Sequence, residues 1–426
     1  MYRFLISGYN AGPEALGIRT CELDLNEAKL KTIGETNGMA SPSYCQKVGD
    51  DLYVACETSE HGGFAYCQVD PFGVPQLVNQ VVFPDAAGTT FTLRHPSGKH
   101  VYGADYNSGS VASCKLGDDG SLREPVRIVQ HKGHGFPRPD GYVNFDRQLA
   151  PHVHTMSMVP GTSLLATVDL GLDMIVLYET DGEGAIVDHE GSVELCTWPD
   201  GLAPDADSYA MREAVPAAYA GNAVSTLTEG DGASDAKVRL TRSLPEAGSE
   251  CIADLPVRPA AIVEAPPCAG PRIVTYHPTK PLVAVVCELS CEVIVFRIAD
   301  DGKRWEAQSR IDLLKDVGDP MVGGEAPRGA QCEFTRDGRF MYAATRGVDI
   351  VTTFSLDDDC NVLSRSGCSS GGKTPRLMAM SPDERLIAVT NHDSNLVQLF
   401  QRDSGTGALS ALMGIDFTTP SCVVWE

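Results

Sequence analysis

The chain has 426 residues and a formal net charge of -23. That balance disfavours nucleic acid and anionic membranes as partners, since both need a basic surface. Its 42 glycines and 27 prolines suit many short strands joined by tight turns, and no apolar run is long enough for a bilayer span.

The opening Met1-Tyr2-Arg3-Phe4-Leu5-Ile6-Ser7-Gly8-Tyr9 reads as a strand; it lacks the apolar core and cleavage site of a leader. The 14 cysteines contain no CxxC pair, and several fall inside strand-like runs. Reduced, buried thiols and a cytoplasmic location are therefore expected.

A unit then recurs, each copy announced by a turn before a short apolar strand. Val48-Gly49-Asp50-Asp51 precedes 52–57, and His95-Pro96-Ser97-Gly98 precedes 101–107. Pro160-Gly161-Thr162 precedes 164–168, and His277-Pro278-Thr279-Lys280 precedes 283–289. Thr335-Arg336-Asp337-Gly338 and Ser381-Pro382-Asp383-Glu384 mark two further copies. Each continues through a polar loop into a third strand and a weaker fourth. Four short antiparallel strands every ~45 residues is the period of propeller blades. Units fall at roughly 41–83, 84–130, 150–195, 268–316, 326–369 and 373–415. A seventh is split, because 2–35 lack an opening strand that the tail 419–425 can supply. The expected fold is thus all-β: a seven-bladed β-propeller over 1–426, closed by a C-terminal strand joining the N-terminal blade.

Two segments break the repeat. One covers 131–149. The other, 197–267, is an insertion between blades at the rim, either a lid or disordered, with a weak helical pattern near 208–220 and a strand-like 237–240.

Propeller geometry sorts the polar residues. Those just before the first strand of a blade, or at the end of its second, ring one central mouth. The mouth so defined receives His152, His154, Arg272, Glu288, Arg328, Arg346, Arg376, Asp105, Asp169, Glu57 and His392. Arginines facing a funnel suit anionic groups, because guanidinium matches carboxylate and phosphate with paired donors. A histidine and a glutamate supply proton carriers. Rim residues of scaffolding propellers also cap strands, but Arg272, Glu288, Arg346 and His154 converge from three blades on one opening. The histidines His131, His134, His152 and His154 form a weaker metal pattern, since i,i+2 positions beside a strand point apart. No metal and no cofactor is expected.

On Pro151-His152-Val153-His154, Asp169-Leu170-Gly171-Leu172-Asp173, Gly270-Pro271-Arg272, Cys287-Glu288-Leu289, Ala344-Thr345-Arg346-Gly347 and Thr374-Pro375-Arg376, the chain resembles the lactonase-type seven-bladed propeller family. That family includes 6-phosphogluconolactonases and carboxy-muconate cyclases. The resemblance covers nearly all of the chain outside 197–267. It implies that His154, Arg272, Glu288 and Arg346 are catalytic, with Arg376 and His152 nearby. Arg147-Gln148 matches an Arg-Gln pair that the family carries ahead of the histidines. His152, Arg376, Arg147 and Asp105 are accordingly expected to bind substrate. Two departures stand out: Ile273 where the family often has histidine, and Cys287 where it has asparagine.

The implied activity is hydrolysis of a small anionic sugar lactone, with Glu288 or His154 as general base, by a monomer or weak homo-oligomer. Two alternatives remain open at this point: a carboxy-muconate cycloisomerase, and a non-enzymatic binding platform.

Overall fold

The computed structural model describes residues 1–135, 147–199, 202, 224–230, 236–243, 250–317 and 326–426. Much of the first irregular segment and the helical pattern near 208–220 lie outside the described residues. Regular structure in the described chain is overwhelmingly β-strand.

Seven sheets repeat one antiparallel plan. Their innermost strands are Pro42–Val48, Thr89–Arg94, Val153–Met158, Pro271–Tyr276, Arg328–Phe334, Pro375–Met380 and Pro420–Trp425. Each touches the next, and Pro420–Trp425 touches both Pro375–Met380 and Pro42–Val48. The C-terminal strand also pairs antiparallel with Tyr2–Gly8, setting Phe4 opposite Trp425 and Ser7 opposite Cys422. It fills the opening position that residues 2–35 lack.

The second strands explain why the sequence reads as short apolar runs without alternation. His100–Asp105, Leu164–Asp169, Leu282–Cys287 and Leu386–Asn391 are buried at every position. Each sheet is covered on both faces by its neighbours, so both sides of these strands must be apolar. The outermost strands, such as Pro75–Phe83 and Val362–Ser369, meet water and carry exposed positions. Hydrophobic cores lie between adjacent sheets; one joins Val168, Ile175 and Leu177 to Val283, Val285 and Phe296, and another joins Phe4 and Ile6 to Leu386 and Leu399. Turn chemistry locks the stacking. Gly338 has φ +69°, and a Cβ there would come within 2.1 Å of the His277 ring from the preceding sheet.

Two features depart from the simple repeat. In the third unit the fourth strand is not drawn from 181–195, which forms only the two-residue strands Ile186–Val187 and Glu194–Leu195. Its place beside Met174–Thr180 is taken by Ala261–Glu264, from the far end of the insertion. The stretch 181–195 is rich in glycine and acidic residues, whereas Ala261, Ile262 and Val263 are apolar and buried. Burial on both faces favours the latter. The insertion also builds an extra sheet in the order Lys132–His134, Glu250–Leu255, Val238–Ser243, Val224–Glu229, so the two irregular segments pair with each other. Val238, Leu240 and Leu255 pack into the core containing Val153 and Tyr178. Arg242 of this sheet is 1% exposed and donates to the carbonyls of Ala265 (3.0 Å) and Leu172 (3.3 Å).

Candidate active site

In six innermost strands the register with the second strand slips by one residue at the same place: Pro42/Tyr44, Thr89/Phe91, Val153/Thr155, Pro271/Ile273, Gly329/Gln331 and Pro375/Leu377. The skipped residues are Ser43, Thr90, His154, Arg272, Ala330 and Arg376. In the C-terminal strand the slip falls at Ser421. A bulge turns its residue out of the in/out alternation. All of these except Ala330 line one cavity of about 570 Å³ to which every innermost strand contributes.

A second tier lies at the ends of the second strands. Tyr9, Glu57, Tyr106, Leu170, Glu288 and His392 each donate a backbone N–H to the residue just before the first strand of their own sheet. Arg346, paired with Arg328 across its sheet, holds the same phase. The mouth is therefore built from two stacked positions per blade; His154, Arg272 and Arg376 fall on the first, and Glu57, Glu288, Arg346 and His392 on the second.

Glu288, 1% exposed, is the hub. Its Oε2 lies 2.6 Å from Arg346 Nη2 and 3.0 Å from Arg272 Nε; its Oε1 lies 3.2 Å from Arg147 Nη1 and 3.6 Å from Arg328 Nη1. The Arg272 contact is an ion pair without hydrogen-bond alignment, for Nε has no hydrogen-bond partner. Backbone carbonyls fix these guanidiniums further: Arg272 donates to Ala330, and Arg346 to Gly329 at 3.3 Å. Burial opposes the charge on Glu288, but Arg346, Arg272 and Arg147 together hold its carboxyl well below the usual range. It is a poor proton acceptor near neutral pH. Burial first, and then Arg346, push Arg272 down to about 9. An anion beside it would relieve that crowding.

His154 is 8% exposed, and its Nδ1 is buried without a hydrogen-bond partner among the described residues. Burial, reinforced by Arg272, keeps the ring well below the ordinary histidine value, so it is neutral. A neutral imidazole with an unpaired nitrogen, in a residue that lines the cavity, can accept a proton. Arg376 differs from Arg272 and Arg346. Among the described residues its guanidinium has no carboxylate within ion-pair distance, and it stacks 5.1 Å from the Tyr9 ring. Although burial opposes it, Tyr9 and Glu57 raise its pKa above the usual arginine value.

The other expected residues have mixed placements. Arg147 joins the cluster, donating to Tyr106 Oη at 2.7 Å as well as to Glu288. His152 stacks on Tyr106 at 4.4 Å and bonds its carbonyl through Nδ1 at 2.7 Å. Asp105 is fully buried, and its two oxygens accept from Thr89 (2.7 Å) and Ser110 (3.1 Å), so it fastens its own blade. Burial raises its pKa to about 7. Asp169 likewise accepts from the His152 and Leu172 amides and meets His131 Nδ1 at 2.8 Å. His131 is closed at its other nitrogen by Tyr178 Oη.

Tyr9 and Tyr106 are the mouth residues that sequence reasoning passes over. Tyr9 donates to Glu57 Oε2 at 2.7 Å, and Tyr106 meets the His154 ring edge-on at 5.6 Å. Their signal is phase: Gly8-Tyr9 and Asp105-Tyr106 align with Cys287-Glu288 in the repeat.

The model of the family described as "Lactonase, 7-bladed beta-propeller" matches residues 3–204 and 252–425, breaking within the insertion. The chain is 24% identical to 6-phosphogluconolactonase of Bacillus subtilis (strain 168), over 96% of this chain and 93% of that one. It is also 24% identical to an uncharacterised protein of Lactococcus lactis, over 99% and 98%. Among solved structures, a protein from Lactobacillus plantarum superposes with a TM-score of 0.74 at 20% identity, covering 100% of both chains. The periplasmic gluconolactonase of Pseudomonas aeruginosa gives 0.71 at 22% identity, covering 100% and 98%. A family match over most of its length, on an all-β chain of seven such sheets, means that this protein belongs to the lactonase family of seven-bladed β-propellers.

Proposed function

We propose that the protein hydrolyses an anionic sugar lactone of the 6-phosphogluconolactone kind. The observation that carries the reading is a neutral His154, its Nδ1 without a hydrogen-bond partner among the described residues, lining a cavity shared with Arg272 and Arg376. The relationship to the Bacillus subtilis 6-phosphogluconolactonase supports the choice of substrate.

In this reading water attacks the lactone carbonyl while His154 takes its proton. A carbon–oxygen bond to water forms, and negative charge develops on the carbonyl oxygen. Arg272 and Arg346, aimed by Glu288, stabilise that oxyanion. The ring carbon–oxygen bond then breaks, and the imidazolium returns its proton to the departing ring oxygen, giving the open hydroxy acid. Arg376, with no carboxylate within ion-pair distance among the described residues, grips the substrate's acidic group. Glu288 is assigned the orienting role and His154 that of base, because a carboxylate stabilised by several guanidiniums has little tendency to take a proton.

We further infer that the seven sheets close into one ring in a single domain, with Pro420–Trp425 as the joining strand. The described strands Val224–Glu229, Val238–Ser243 and Glu250–Leu255 of the insertion are read as docked on the propeller, held by Arg242 under the loop that follows Asp169. Buried thiols in the described strands, such as Cys45, Cys67, Cys114 and Cys332, fit a reducing, cytoplasmic setting.

The test is pH-stat hydrolysis of 6-phosphogluconolactone by the parent protein and by His154→Asn. Loss of the base should lower kcat by about 10²–10⁴-fold with KM little changed. A parent that opens no lactone, or an unimpaired variant, sinks the assignment.

A further inference from the structure

The two tiers divide the mouth into unlike halves. One half carries His154, Arg272, Glu288, Arg346 and Arg376. The blades opposite offer Ser421, Ser43 and Thr90 below, with Tyr9, Glu57 and Tyr106 above. Three features of this second half are unexplained by ester hydrolysis. Glu57 places a carboxylate on the wall of the cavity that holds Arg272 and Arg376, at the same end as Tyr9, while Glu333 and Glu384 also line that cavity. Its Oε2 is taken by Tyr9, while its Oε1 has no hydrogen-bond partner among the described residues. Ser43, 4% exposed and lining the same cavity, has a buried Oγ with no hydrogen-bond partner among the described residues.

Resting on the lactone reading above, we propose that Glu57 and Ser43, braced by Tyr9, form a subsite that reads the hydroxyl groups of the substrate. A carboxylate accepts hydrogen bonds from hydroxyls and repels a second acidic group. A buried polar group left unpaired by a ligand lacking its partner discriminates strongly against that ligand. A polyhydroxylated aldonolactone supplies donors to Glu57 and a partner to Ser43 while its acidic group sits on Arg376. An unsaturated lactone bearing only carboxylates supplies no donor and brings charge against Glu57. The subsite thus selects the sugar acid within a fold able to hold either.

Calorimetric titration of the parent, Glu57→Gln and Ser43→Ala with 6-phosphogluconate and with tricarballylate, a polyanion without hydroxyls, tests this beside lactone turnover. The parent should prefer 6-phosphogluconate by about tenfold or more, and Glu57→Gln should shrink that ratio about tenfold by weakening one ligand and strengthening the other. Ser43→Ala should shrink it about threefold, and it carries the comparison should Glu57→Gln fail to fold. A folded Glu57→Gln with an unchanged ratio, or a parent preferring tricarballylate, overturns the subsite. If lactone is turned over and the ratio stays fixed, the subsite alone fails. If no lactone is opened and the ratio still falls, the subsite stands and the hydrolase reading fails. A parent that binds neither anion overturns both.

Discussion

Replacing Glu288 by Gln keeps the shape of the hub and removes its charge. Four guanidiniums then converge on a neutral amide. The two nearest, Arg346 at 2.6 Å and Arg272 at 3.0 Å, are 11% and 4% exposed, so solvent does little to screen them. Arg147 and Arg328, at 36% and 20%, are better solvated and count for less. Removing one partner of a buried charge cluster typically costs about 3–5 kcal/mol. Unfolding entropy of ~2 cal/mol/K per residue means that a chain of this length loses roughly 1 °C per kcal/mol, so Tm should fall by about 3–6 °C. Phosphate or sulfate should recover part of the loss by taking the vacated charge position, and should do far less for the parent. Differential scanning fluorimetry across an anion series reads both effects. A Glu288→Gln protein melting within 1 °C of the parent, with no gain from anions, would show that the carboxylate is not what holds these arginines together.

Arg376→Ala should raise KM for an anionic lactone about tenfold or more with a smaller change in kcat, whereas Arg272→Ala should lower kcat by about 10²–10³-fold; steady-state kinetics separates the two roles. Because burial keeps His154 neutral, kcat/KM should stay level as pH falls through 6.5 and drop only in more acid solution. The same shift carries a stability signature: below 6.5 the unfolded chain binds a proton that native His154 refuses, so stability declines as pH falls, and His154→Asn should flatten that slope in denaturant titrations. Asp105 has the opposite sign. Its native carboxyl, raised to about 7, binds more protons than the unfolded chain between 3.8 and 7, so its contribution falls as pH rises across that window. Asp105→Asn should remove this slope and leave lactone turnover largely intact, an outcome that a substrate-binding Asp105 would not give. Arg242→Ala, which strands the carbonyls of Leu172 and Ala265, should expose 224–255 to limited proteolysis while the propeller remains folded.

The blades were legible because their turns repeat. Pro160-Gly161, His277-Pro278 and Ser381-Pro382 set a common phase, and that phase carries His154 and Glu288 to one mouth although 134 positions separate them in the chain. Tyr9 and Tyr106 share the phase, yet a tyrosine near a strand end reads the same whether it faces a funnel or, like Tyr102 and Tyr178, a core. Asp105 sits in the sequence much as Glu57 does, one residue earlier in phase, and that single step turns it into its own blade. The fourth strand of the third unit was beyond local reading, since Ala261–Glu264 joins it only after an insertion longer than a blade.

Periodicity of apolar strands and turns, a property of each short stretch, was enough for the number of blades, for the strand that opens the split one, and for a common phase that groups His154, Arg272, Glu288, Arg346 and Arg376, though it also drew in Asp105 and Asp169, which fasten their own blades. The division of labour among those positions was not. Arg272, Arg346 and Arg376 look alike in the chain, and Glu288 looks as good a base as His154. Charge state and availability depend on what lies within a few ångströms, and here those neighbours come from different blades. Glu288 captures two of the three arginines and gives up its own basicity in doing so, while a histidine buried beside them is left neutral with a nitrogen unpaired among the described residues.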